Sequence, residues 1–298
     1  MRSLIPMIAL VLLAACSSGK KSDEQAFLES QDTARDNGPT IPEEVIGSIL
    51  QQIPSPLEIS AMLKESGSRY EPGLLNSPDN LPKYNSNYKK ALNLGVFGTD
   101  LGYTNIYQKS KDGIQYLSSI KSLANDLNIG QFFDIETIGR LAANSKNLDS
   151  LLLITTQNFN NINGYLQNQR REHLSVLLLT GGWVEAMNVV SQAALATPSN
   201  KELQEKVGEQ KIIIEKLILL LGFYKDDANM AGLLKDMQSL MAAYEKINIV
   251  YTYKESTVEV VNGVAVIKDN SSTTIQITKE DVKSISALVG AMRDRIIG

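Results

Sequence analysis

Proline placement constrains this 298-residue chain more than any other feature. Seven of its nine prolines fall between Pro39 and Pro82; the other two are Pro6 and Pro198. A helix interior excludes proline, because the ring removes a donor and collides with the preceding turn. Residues 83–197 and 199–298 can therefore form long helices, and hydrophobic spacing shows where. Tyr84, Tyr88, Leu92, Gly95, Thr99, Gly102 and Ile106 advance by three or four residues and share one helical face. Ile114, Leu117, Ile120, Leu123, Ala124 and Leu127 form the next stripe, and residues 135–142 a short helix. A longer helix carries Leu148, Leu151, Leu152, Thr155, Phe159, Ile162 and Leu166. Residues 173–196 are apolar on most sides, as expected of a helix surrounded by others. Residues 202–223 and 227–247 read as two further amphipathic helices, with Asp226 and Asp227 as capping candidates.

The period changes near the end. Residues 249–253 are β-branched and aromatic, and residues 257–261 and 264–268 flank Asn262-Gly263, a strong hairpin signal. Residues 273–277 read as a further strand. Helical spacing returns over residues 279–297, with Thr278 and Asp281 placed as a capping box. The expected fold is mainly α. It is an antiparallel multi-helix array, a bundle or a short α-solenoid, with a small C-terminal antiparallel β-hairpin or meander and a final helix. The organisation that follows is a leader over 1–15, a tether over 16–42 and a Pro-rich segment over 43–84. A helical domain over 85–248, a β appendage over 249–277 and a final helix over 278–298 complete it. The Pro-rich segment is expected to hold short helices over 43–52 and 57–65 and an extended loop over 67–84.

The amino terminus carries the clearest functional signal. Arg2 precedes an apolar run of ten residues, 4–13, followed by Ala14, Ala15 and Cys16, the one cysteine. A basic start, a short apolar run and small residues make a secretory signal peptide. The run is shorter than the roughly 20 residues that a membrane-spanning helix needs. The tetrad Leu13-Ala14-Ala15-Cys16 resembles the lipobox of bacterial lipoproteins. That resemblance implies acylation at Cys16, cleavage before it and attachment to a membrane through acyl chains, of which two or more hold stably. Ser17 resembles the outer-membrane sorting class, which implies a cell-envelope protein facing the periplasm or the surface. Cleavage would remove Arg2 and no acid, so 28 basic residues would face 33 acidic ones, a formal charge of −5. Residues 17–42 are rich in Ser, Gly, Lys, Asp and Glu and read as a polar tether.

Composition narrows the chemistry. The full chain has a formal charge of −4 and shows no basic excess, so no nucleic-acid partner is expected. One cysteine makes no intrachain disulfide, and one histidine builds no multi-histidine metal site, so neither a metal nor a cofactor is expected. The one histidine, His173, begins an apolar helix between Glu172 and Leu174 and reads as a surface or capping residue; no G-x-S-x-G elbow accompanies it. No catalytic residue is therefore assigned. Gly98 and Gly102 lie i, i+4 on a helix and read as a close-packing face, with Asp100 solvated between them. Thr180, Gly181 and Gly182 interrupt the apolar helix just before the one tryptophan, at a cost of about 2 kcal/mol relative to alanines. Close packing, a kink or a pocket would use that space. Trp183, Glu185 and Asn188 form the candidate ligand groove there. Amides crowd residues 158–169, and six of the eleven tyrosines lie between Tyr70 and Tyr116; both groups read as solvated face and core rim respectively.

The stretches LNLGVFGTDLGYTNIY and LLLTGGWVEAM resemble segments of helical lipoproteins from Bacteroidota-type bacteria, a similarity running from about residue 85 to 247. That group has no activity to carry over. The expected function is a non-catalytic binding or scaffold module of the cell envelope, with an envelope protein or glycan as partner. The alternative is a carboxylate-dependent hydrolase acting on envelope polymers. A third reading is a structural member of an envelope complex, assembled through the β-hairpin.

Overall fold

The computed structural model describes residues 63–64, 66–144, 147–261, 264–268 and 270–298, together with Val45 and Ile49. The residues read as a signal peptide and a tether, Cys16 among them, lie outside the described residues, as do most of the two short helices expected over 43–52 and 57–65. Among the described residues the fold is mainly α. Nine helices precede, flank or follow two nested antiparallel strand pairs.

The helices are α1 (Asn87–Ile106), α2 (Ser110–Asp126), α3 (Ile135–Ala143), α4 (Leu148–Asn168) and α5 (Glu172–Ala196). Then come α6 (Lys201–Glu209), α7 (Lys211–Gly222), α8 (Ala228–Tyr244) and, after the strands, α9 (Lys279–Ile297). Polar caps set many starts. The Ser86 hydroxyl accepts from the Lys89 N–H, Asn147 from Ser150, Asn200 from Leu203 and Asp227 from Asn229 and Met230. Thr278 and Asp281 complete a reciprocal capping box on α9. Three helix ends share one device that contains no glycine. Gln108, Asn128 and Arg170 adopt left-handed φ values of 56°, 56° and 54° just past α1, α2 and α4. In each case the next residue's N–H reaches back to the last turn: Lys109 to Thr104 O, Ile129 to Ala124 O and Arg171 to Leu166 O, at 2.7–2.8 Å.

α5 is the centre of the body. It packs against α1, α4, α6, α7 and α9, and α9 also meets α1 and α6. A solenoid repeat touches only its chain neighbours, whereas α9 lies against elements far from it in sequence, so the array is a bundle. α5 is long and apolar enough to cross a membrane, but most of its apolar window is buried by the other helices. α9 docks through a stripe of Val282, Ile285, Val289, Met292 and Ile296, spaced by three and four residues. The single helix expected over 202–223 is two helices, because the chain turns at Gln210. Its side-chain Oε1 accepts from Trp183 Nε1 at 3.0 Å, and the preceding Val207 carbonyl accepts from the Tyr244 hydroxyl. Residues 67–84 are an extended segment with 3-10 turns at Pro72–Leu74 and Pro78–Lys83.

The strands are β1 (Asn248–Thr252), β2 (Thr257–Val261), β3 (Val264–Lys268) and β4 (Ser272–Gln276). β1 pairs with β4 and β2 with β3, so the four form one arm with an inner and an outer pair. Lys254 and Ser271 bridge the gap between the two pairs, and Asn270 Nδ2 donates to Glu255 O at 2.8 Å. The inner pair sits on the body, where Ile275 packs so closely on Gly208 of α6 that a Cβ there would press its methyl. Among the described residues the outer pair pairs only with itself.

Candidate functional site

Residues 92–107, most of which lie in α1, and residues 177–187 of α5 pack against each other. Gly95 of α1 and Gly181 of α5 make a reciprocal backbone approach. A Cβ on Gly95 would collide with the Leu178 carbonyl, and one on Gly181 with the Leu92 carbonyl. The Thr99 hydroxyl closes the seam, donating to Gly182 O at 3.0 Å. Close packing is thus the use that the glycines of α5 serve. The expectation for Gly98 is corrected: it is exposed, with open space where a side chain would stand, and Gly95, one turn earlier, carries the contact.

This approach brings Asp100 of α1 beside Glu185 of α5. Both are 0% exposed, which corrects the expectation of a solvated Asp100. Arg293 of α9 faces Glu185 with its Nε and Nη2 donating to the two carboxylate oxygens, the latter at 2.8 Å. The same Nη2 donates to Leu74 O at 2.9 Å. Residues 74–80 cover the remaining side as a strap. The Asn76 N–H donates to Asp100 Oδ2 at 3.2 Å, and its side-chain amide donates to the Tyr84 hydroxyl at 2.9 Å. Asn80 Nδ2 donates to Asn76 Oδ1 at 2.7 Å. Asn93, two residues before Gly95 on α1, donates to Ile296 O at 2.9 Å and ties in the end of α9.

The electrostatics follow from this enclosure. Burial, then the charge of Glu185 and a hydrogen bond with it, push the Asp100 carboxyl well above the usual carboxylate range. Arg293 and the Asn76 N–H pull it the other way and do not prevail. Burial alone would favour a neutral guanidine, but Glu185 and Asp100 hold Arg293 charged. Asp100 Oδ1 is buried without a hydrogen-bond partner when the group is drawn as a carboxylate. The Asp100 and Glu185 side chains are within hydrogen-bonding reach of each other, and two carboxyl groups can bond only if one of them carries a proton. The chemical content of the site is two buried carboxyl groups set against one guanidinium.

Of the three residues expected to line a groove, the structure brings two together. Glu185 and Asn188 both face the strap, with Asn188 Nδ2 donating to Leu74 O at 3.4 Å. Trp183 points elsewhere, into the core beside Gln210. All three are buried, so they form closed packing rather than an open groove. The sequence reading missed Asp100, Arg293 and Asn76. Asp100 was visible in the glycine-rich segment, but its burial depends on α5, and nothing local marks Arg293 at the far end of the chain. His173 is also buried, edge-on to the Tyr224 ring at 6.3 Å, which corrects its reading as a surface residue. Among the described residues no group of histidine, cysteine and acidic side chains is arranged to hold a metal.

The second candidate site is the outer part of the β arm. Val258 and Ile267 are cross-strand neighbours and are 67% and 75% exposed. Tyr251 and Tyr253 are likewise exposed toward the end of β1. On the opposite face of the outer pair, Lys268 meets Glu259 at 3.2 Å.

Fold and site together define a helical bundle with a projecting β arm, closed around an internal ion cluster. No protein-family model matches the chain, and neither a curated protein nor a solved structure is similar to it.

Proposed function

We propose that this chain is a cell-envelope lipoprotein, held by acyl chains on Cys16 and sorted to the outer membrane, whose folded body is a non-catalytic binding or scaffold module. The observation that supports the binding role most directly is the β arm. Its outer pair exposes Val258 and Ile267 as an apolar cross-strand pair and, among the described residues, has strand edges that pair with nothing. Exposed edges of this kind are ordinarily covered or used to add a strand from a partner. Unpaired backbone beside apolar side chains suits a protein partner in the envelope better than a glycan, which needs hydroxyl-matching polar groups. The hydrolase alternative would draw on Asp100 and Glu185, the buried acid pair of the body. With both at 0% exposure, no substrate atom reaches them in this conformation.

The test has two arms. Replacing Cys16 by Ser should release the protein from membranes and remove the mass of its acyl chains; unchanged partition and mass would refute the anchor. A photo-crosslinking residue at Ile267 should capture one stoichiometric protein partner in cells. The same residue at Leu219, exposed on α7, should not. Equal capture at both positions, or capture of none at Ile267, would refute the arm as the binding surface.

A further inference from the structure

Asp100, Glu185 and Arg293 set two carboxyl groups against one guanidinium in a space closed by α1, α5, α9 and the strap of residues 74–80. We propose that Asp100 and Glu185 share one proton, and that this proton latches the strap: its loss as pH rises opens the strap and admits water to the pair. The inference is independent of the binding role proposed above.

Three observations converge. The first is charge. Two carboxylates and Arg293 would leave an uncompensated negative charge where both acids are 0% exposed, and a buried uncompensated charge is strongly unfavourable. One proton brings the cluster to neutrality. The second is geometry. Asp100 Oδ2 accepts from the Asn76 N–H, while Oδ1 has no partner. The Asp100 and Glu185 carboxyls stand within hydrogen-bonding reach of each other, and a proton held between them makes that bond possible and leaves the Asn76 bond in place.

The third is the nature of the cover. α1, α5 and α9 are helices of 20, 25 and 19 residues with apolar faces packed into the core. Within residues 74–80 only Leu75 and Asn76 are buried, and the ties are mainly polar. They run from Arg293 and Asn188 to Leu74 O, and from Asn76 to Asp100 and Tyr84. The strap is therefore the part of the enclosure that yields at least cost when a second negative charge appears.

The groups facing the cluster leave Asp100 as its titrating member. Tyr84, four residues past the strap, and Tyr116 from α2 both feel Asp100 and Glu185, and burial pushes both phenols up, so they stay neutral. Tyr70 lies beyond them, also raised by burial and by its bond to Asp112. Asp294 adjoins Arg293 on α9 and reinforces its charge.

The sign follows from linkage. Closed, Asp100 binds its proton more tightly than an exposed carboxyl does; open, it returns to about 4. Between those two values the opening equilibrium rises about tenfold per pH unit, and it is flat outside them. The strap is held most firmly at the acid end of the window and least firmly above it.

Hydrogen exchange followed by mass spectrometry on the full chain reads this directly, with rates corrected for intrinsic chemical exchange. Strap peptides of the wild type should lose protection about tenfold per pH unit across the window. Asp100→Asn keeps a neutral amide in place of the acid and should remove the pH dependence. Equal slopes in the two proteins, or a flat wild-type profile, would overturn the latch. Infrared spectroscopy of the wild type supplies a readout independent of the variant's folding. A protonated-carboxyl carbonyl band should be present across the window, while the closed state holds its proton, and vanish at the upper end, where the exchange profile levels off. No such band in the protected state would equally overturn the proposal.

Discussion

Arg293→Ala tests the internal ion cluster most sharply. The substitution removes both donations to Glu185 and the donation to Leu74 O. Glu185, at 0% exposure, is left beside Asp100 with no cation. Breaking a buried pair by removing one partner costs about 3–5 kcal/mol, chiefly the desolvation of the stranded charge. For a domain of this size each kcal/mol moves Tm by about 2–4 °C, so a fall of about 6–20 °C is expected. Acidification should shrink the loss, because protonating the stranded acids relieves it. Trp183 is the one tryptophan and is buried, so its fluorescence reports unfolding in urea without a label. The same helix supplies the control. Arg295 pairs with Asp236 at 2.9 Å, with side chains 57% and 33% exposed. Solvent screens that pair, and Arg295→Ala should cost less than about 1 kcal/mol. If Arg293→Ala costs as little as Arg295→Ala, the cluster does not depend on its guanidinium and the reasoning fails.

Three further outcomes follow from the packing. Gly95→Ala and Gly181→Ala should each destabilise by about 1–3 kcal/mol or more, since the added methyl meets a backbone carbonyl; Gly98→Ala, on an open helical surface, should be neutral or gain up to about 1 kcal/mol. Urea titration of the three variants checks the order. Ser175 Oγ is fully buried with no hydrogen bond, so Ser175→Ala should be neutral or stabilising by about 1 kcal/mol, read as the midpoint of the same titration. Ile267→Lys should leave stability within about 0.5 kcal/mol of wild type by thermal melting, because the side chain is already in solvent; a larger loss would mean that the arm folds against something.

Local signals carried much of the fold. Proline placement and apolar spacing located eight helical runs from residue 85 onward, and the Thr278–Asp281 capping box and the Asn262-Gly263 turn placed the last helix and the outer strand pair. These signals are readable because each depends on residues within a turn or two of one another. The break at Gln210 was not readable, since no proline marks it and the partner its side chain finds there, Trp183, lies 27 positions away. The left-handed ends at Gln108, Asn128 and Arg170 were missed because the usual glycine is absent from them.

Spacing along the chain determined which faces are apolar, where the helices begin and that the arm is a hairpin. Those properties follow from backbone geometry and hold in any tertiary context. The fate of the polar groups within those faces was decided only by assembly. Asp100 sits between glycines that would suit solvent as well as core, and Glu185 lies on a helix polar enough there to suggest a groove. The reciprocal contact of Gly95 and Gly181 draws α1 and α5 together, and Arg293, 108 positions beyond Glu185, closes the third side. Whether an acid is solvated, paired or protonated depends on what stands across from it, and the chain's order does not say what that is.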